Sequence, residues 1–122
     1  FDSEAPPLLD YLGPVASEMA ELQPEKLRLA HKAEYEVQSN VKVLLDAFLE
    51  TYHLKSIHLQ TVDRFLDHLG TTIELWPNGH SRMTTPNRRP EWKDPGVTGL
   101  PEIDTVGEVV RDNNVSYNIY PN

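Results

Sequence analysis

The chain has 122 residues, enough for one domain, and its 19 acidic and 11 basic residues give a formal net charge of −8. That charge repels nucleic-acid backbones, so binding to DNA or RNA is not expected of the molecule as a whole. The sequence contains no cysteine, which excludes disulfides, thiolate nucleophiles and cysteine-ligated metal centres and leaves the cellular compartment open. No apolar run reaches the roughly 20 residues that a membrane span needs.

The first part of the chain, residues 1–70, has helical periodicity. Pro14–Leu22 is predicted to form a short helix. From Pro24 to Tyr52, apolar residues recur at steps of three and four, which predicts one long helix. Two stacked helices, separated at Ser39-Asn40, are the alternative. Leu44 and Phe48 lie in the middle of the apolar stripe, so both are expected to be buried.

A further helix is predicted to follow His53-Leu54. Its apolar positions are Leu59, Val62, Phe65, Leu66 and Leu69. Gly70 is expected to end this helix, because glycine adopts the left-handed conformation that closes many helices.

The pattern of the second part, residues 71–122, is that of short strands. Alternation over Ile73–Trp76 and again over Ser81–Thr85, with Asn78-Gly79 between them, predicts a β-hairpin with positive φ angles at its turn. Val115–Ile119 alternates in the same way and is expected to complete a three-stranded antiparallel sheet.

Two other segments complete the predicted architecture. Thr85–Pro101 contains four prolines in addition to its glycines, which predicts an extended arm. Ile103–Val110 is predicted to form a short helix. The whole chain, residues 1–122, is therefore expected to be a single α+β domain with a helical first half.

The five histidines do not show the spacing of a helical metal site. None of His31, His53, His58, His68 and His80 are four positions apart, and no cysteine is present to help. Asp63, Asp67 and His68 are close in sequence and are interpreted as a solvated helix face. The sequence thus predicts no metal and no cofactor.

No catalytic signature is present either: the nucleophile elbow, the dinucleotide-binding glycine loop and the phosphate-binding lysine loop are all missing from the sequence. The protein is therefore predicted not to be an enzyme. A hydrolase with an unrecognised pair of carboxylates stays as an alternative, since two acids need only meet in space.

One basic cluster interrupts the acidic sequence between Gly79 and Lys93, and most of it lies in the Pro-rich arm. Its candidate binding residues are Arg82, Arg88, Arg89, Trp92 and Lys93. Arginine and tryptophan are common interface anchors, so the cluster predicts a non-catalytic binding or assembly subunit of a larger complex, with another protein or several subunits as partners. The alternative is a small acidic regulator that binds nucleic acid or a nucleic-acid enzyme.

Overall fold

The computed structural model describes residues 2–89, 91, 96 and 99–121, and their architecture confirms the predicted α+β class. The helices are α1 (Leu8–Leu12), α2 (Pro14–Glu21), α3 (Val41–Ala47), α4 (Leu54–Ile57) and α5 (Glu108–Asp112). The strands are β1 (Thr72–Leu75), β2 (Ser81–Pro86) and β3 (Asn113–Asn118). Single turns of 3-10 helix lie at Pro24–Lys26, Val62–Arg64, His68–Gly70 and Pro77–Gly79. Within these ranges, no helix has the length and apolar character needed to cross a membrane.

The sheet is three-stranded and antiparallel, as predicted, and its strand order is β1-β2-β3. Leu75 faces Ser81 at the closed end of the hairpin, and Met83 faces Ser116 in the middle of the second pair. At the turn, Asn78 and Gly79 have φ angles of 63° and 83°, a conformation that few residue types adopt at low cost. The local turn signal therefore determined the pairing of β1 with β2.

The predicted long helix from Pro24 to Tyr52 is wrong. A single turn follows Pro24, and regular helix resumes only at Val41, where the Asn40 side chain accepts a hydrogen bond of 2.8 Å from the Lys42 backbone N–H. Residues 27–40 between them are non-helical and exposed. Helices in proteins are stabilised chiefly by packing an apolar face, and this segment has no such packing.

The predicted burial of Leu44 and Phe48 is also wrong, since the two side chains are 45% and 55% exposed. Phe48 is the C-cap residue of α3 and lies beyond the last helical turn. The buried apolar side chains of the described residues are instead Val15, Leu54 and Val106. The apolar periodicity indicated which residues would share a helix face, but it did not indicate whether another element packs against that face.

The predicted helix over Leu59–Leu69 is broken into short turns, and hydrogen bonds to β2 and the residues after it explain why. The Asp67 backbone N–H donates to the Pro86 carbonyl at 2.8 Å, and the Arg88 N–H donates to the Phe65 carbonyl at 2.7 Å. A backbone group bonded to the sheet is not available for a continuous helical ladder. Tertiary pairing therefore replaces the helix in this segment.

The complete burial of Val15 in α2 makes it the most sensitive apolar position of the described core. We expect Val15→Ala to lower the free energy of unfolding by about 2 kcal/mol, because it removes two buried methyl groups and leaves a cavity. Val41→Ala, at an exposed position, should change it by less than about 0.5 kcal/mol. Equal effects of the two changes in urea unfolding would contradict this core assignment.

Candidate functional site

A cavity of about 220 Å³ lies between the α3–α4 segment and the sheet, and we call it the histidine cavity. Its helical wall includes Glu50, Thr51, His53, Leu54 and His58. Its sheet wall includes Met83 and Thr85 of β2 with Asn114 and Ser116 of β3. Titratable side chains thus meet apolar ones in one concave site, which is the usual character of a ligand-binding cavity.

His53 and His58 are brought together by the shortness of α4. His53 is its N-cap and His58 its C-cap, so a single helical turn separates them. On a continuous helix, side chains five positions apart would diverge by roughly 140°. Here the backbone leaves helical geometry at His58, and the two ring centroids lie 5.4 Å apart with their planes at 69°.

Glu50 binds the His53 ring at Nδ1 and leaves the other ring nitrogen, Nε2, without a contact to Glu50. One carboxylate oxygen of Glu50 is bonded to His53 Nδ1, and the other accepts the His53 backbone N–H at 3.1 Å. An ionised carboxylate only accepts, so Nδ1 is the donor of this bond, and in the neutral imidazole Nε2 keeps its lone pair. Neither His53 Nε2 nor the ring nitrogens of His58 make a hydrogen bond to another described residue.

These features fit part of a metal site. Imidazole is a good ligand for iron, zinc, copper and nickel, and metal-binding histidines usually donate their other ring N–H to a carboxylate, as His53 does to Glu50. Within the ranges that the structure describes, no group of three His, Cys, Asp or Glu side chains is arranged to hold a metal ion. The cavity therefore offers two imidazole ligands and not a complete set.

A second ionic cluster lies next to the cavity and corrects the interpretation of Asp63, Asp67 and His68 as a solvated helix face. His68 Nδ1 donates to Asp63 Oδ1 at 2.6 Å, and the two side chains are only 10% and 11% exposed. The Arg88 guanidinium lies 3.5 Å from Asp63 and 3.6 Å from Asp67. Arg88 thus forms its ion pairs within the chain.

Arg82, another predicted binding residue, ties α2 to the sheet. It donates to Glu18 and to Glu74 at 2.7 Å each and lies over the Trp76 ring at 5.6 Å. Burial lowers the pKa of the Arg82 guanidinium, but the hydrogen bonds to Glu74 and Glu18 outweigh it and leave that pKa above its ordinary value.

Tyr117 of β3 completes this group, because its hydroxyl donates to the second carboxylate oxygen of Glu18 at 2.6 Å. Burial, and then this hydrogen bond, raise the pKa of the Tyr117 phenol well above its ordinary value.

Arg89, Trp92 and Lys93 are the remaining predicted binding residues. The Arg89 side chain is exposed and makes no hydrogen bond or ion pair with another described residue. Trp92 and Lys93 lie outside the described residues. The prediction that this end of the arm binds a partner therefore stays a prediction.

Comparison with known proteins identifies a family for most of the chain. The sequence model of the family described as "Ring hydroxylating alpha subunit (catalytic domain)" matches residues 24–122. No curated protein and no solved structure gives a significant match.

This match overturns the predictions that the protein is not an enzyme and that it is a non-catalytic structural or assembly subunit, because the matched family is a catalytic domain of oxygenases. The family description does name a subunit, so the coarser expectation of partner subunits is confirmed. A signal for the site was present as Glu50-x-x-His53-x-x-x-x-His58. It escaped a search based on four-residue helical spacing, because the two histidines flank a turn instead of sharing a helix face.

The raised pKa of Tyr117 predicts a specific loss of stability at high pH. A tyrosine in the unfolded chain has a pKa near 10, and the pKa of Tyr117 is higher than that in the folded chain. Tyr117 therefore stabilises the folded state at pH values below about 10. This contribution is lost as the pH rises toward the folded pKa. The free energy of unfolding should therefore fall more steeply above about pH 10 in the wild type than in Tyr117→Phe. Parallel curves from urea unfolding at about pH 9, 10 and 11 would contradict this interpretation.

Proposed function

The chain belongs to the family of ring-hydroxylating alpha-subunit catalytic domains, and on that premise we propose that it is an oxygenase subunit whose active site is the histidine cavity. The proposed reaction is the hydroxylation of a ring in an organic substrate. The observation that carries the proposal is the convergence of His53 and His58 on one cavity, with Glu50 bonded to the first of them.

The reaction needs a group that activates dioxygen, which no amino-acid side chain does by itself. Among such groups, non-haem Fe(II) is held by two histidines and one carboxylate, with positions left open. His53 and His58 would supply the two imidazoles, and the described residues do not supply the anionic third ligand. Iron bound there would provide the oxygen chemistry.

Glu50 would act on the iron through His53. By holding the proton on Nδ1, it keeps the Nε2 lone pair free for the metal and fixes the direction in which the ring points. The hydrogen bond from the His53 backbone to the same carboxylate restrains both residues further. Glu50 is thus proposed as a positioning residue.

The rest of the cavity would receive the substrate ring. Its apolar lining consists of Ala47, Phe48, Leu54, Val62, Leu66 and Met83. An apolar cavity of roughly 150 Å³ is enough to hold benzene, so about 220 Å³ admits one ring with small substituents.

We propose that Arg89, Trp92 and Lys93 contact another subunit. Arg89 is exposed, and the matched family consists of alpha subunits. We expect Arg89→Glu to reduce co-purification with the native partner subunits, because reversing a charge at the edge of an interface replaces attraction by repulsion. Arg64→Glu, an equal charge change elsewhere on the surface, is the control. Unchanged recovery of the partner subunits with Arg89→Glu would contradict the proposal.

Metal binding tests the proposed active site directly. His53→Ala and His58→Ala should each weaken Co(II) binding, measured by titration of its visible absorption, by at least ten-fold, because each removes one of two imidazole ligands. His31→Ala is the matched control, since His31 lies in the exposed segment 27–40. Wild-type affinity in both cavity variants would refute the site.

A further inference from the structure

We propose that Arg88 is a positioning residue for His58, which it restrains through the segment of residues 58–66, here called the clamp loop. This inference rests on the proposed function of the histidine cavity. It concerns how the second imidazole is held, whereas Glu50 holds the first.

The His58 backbone is fixed by the loop that follows it. The His58 carbonyl accepts the backbone N–H groups of Thr61 and Asp63 at 3.0 and 3.1 Å. Val62 and Leu66 of the same loop line the histidine cavity. Asp63 is thus joined to His58 by a backbone hydrogen bond and is the sequence neighbour of Val62 in the cavity wall.

Arg88 holds this loop at several points. Its Nε lies within hydrogen-bonding distance of the carbonyls of Asp63 and Leu66, at 3.0 and 2.8 Å. Its backbone N–H donates to the Phe65 carbonyl at 2.7 Å, and its Nη2 lies 3.5 Å from the Asp63 carboxylate. One residue thus binds both the main chain and the side chain of Asp63.

The position of Arg88 in the chain connects the clamp loop to β2. It follows β2 by two residues, and an isolated bridge between Leu66 and Asn87 lies beside it. Thr85, near the end of the same strand, lines the histidine cavity and is almost fully buried. Arg88 therefore fastens the clamp loop to the strand that forms the opposite wall.

Arginine suits this role for a reason that lysine does not share. The planar guanidinium presents five N–H donors in fixed directions, so it can serve carbonyl and carboxylate oxygens at once. A lysine ammonium at the same position would keep the ion pair with Asp63 and lose the planar contacts to the main chain. Replacement by lysine should therefore fail to restore the loop.

Hydrogen exchange and metal affinity together test the inference, using Arg88→Met, Arg88→Lys and the control Arg64→Met. Arg64 is an exposed residue of the clamp loop, and its side chain makes no hydrogen bond or ion pair with another described residue. We expect both Arg88 variants to raise amide exchange at Thr61 and Asp63 at least ten-fold and to weaken Co(II) binding about ten-fold, the lower end of the loss typical of outer-shell changes. The control should alter neither quantity.

The amides of β2 and β3 serve as an internal reference. If their exchange rises as much as that of the clamp loop, Arg88 serves global stability and the inference is wrong. Wild-type exchange and affinity in Arg88→Met, or full rescue by Arg88→Lys, would also overturn it. If His58→Ala binds Co(II) like the wild type, the proposed function fails instead, while exchange at Asp63 still decides whether Arg88 holds the loop.

Discussion

The interruption of helix after one turn at α4 is the constraint on which the site depends. Because regular helix ends at His58, the imidazoles on either side of the turn lie close together, edge to face, instead of diverging. A longer α4 would rotate His58 away from His53 and remove the paired imidazoles. The His58 carbonyl would accept a helical hydrogen bond if α4 continued. It accepts the backbone N–H groups of Thr61 and Asp63 instead.

Charged side chains, more than apolar ones, connect the elements around this turn. The buried apolar set of the described residues is small, whereas Arg82 joins α2 to the sheet and Arg88 joins the clamp loop to β2. Partly buried ion pairs of this kind are costly to break singly, because one charge is then left without its partner. Of these, the contacts of Arg88 bear on the histidine cavity, because they hold the clamp loop, whose Val62 and Leu66 line it.

The elements that could be predicted from the sequence are those set by local chemistry. Asn78-Gly79 specified the hairpin because few residue types accept its positive φ angles, and Pro14 began a helix because its missing N–H is not needed there. Helical periodicity between Pro24 and Tyr52 was a weaker guide. It describes which residues would share a face, but the helix forms only where that face meets a packing surface.

The candidate site could not be predicted because it depends on where the chain leaves regular structure. On a continuous helix the spacing of His53 and His58 would direct the two side chains apart, and they come together because regular helix ends at His58. Arg88 was expected to contact a partner, and its ion pairs with Asp63 and Asp67 depend on a bridge between distant segments. Sequence periodicity carries no information about such bridges.

X-ray absorption at the iron edge, recorded on the protein loaded with one equivalent of Fe(II), tests the central claim most directly. The account predicts the multiple-scattering signature of two imidazoles in the wild type and its reduction to one in either His53→Ala or His58→Ala. An imidazole signal that is the same in the wild type and in both variants would contradict the assignment of the histidine cavity as the oxygenase site.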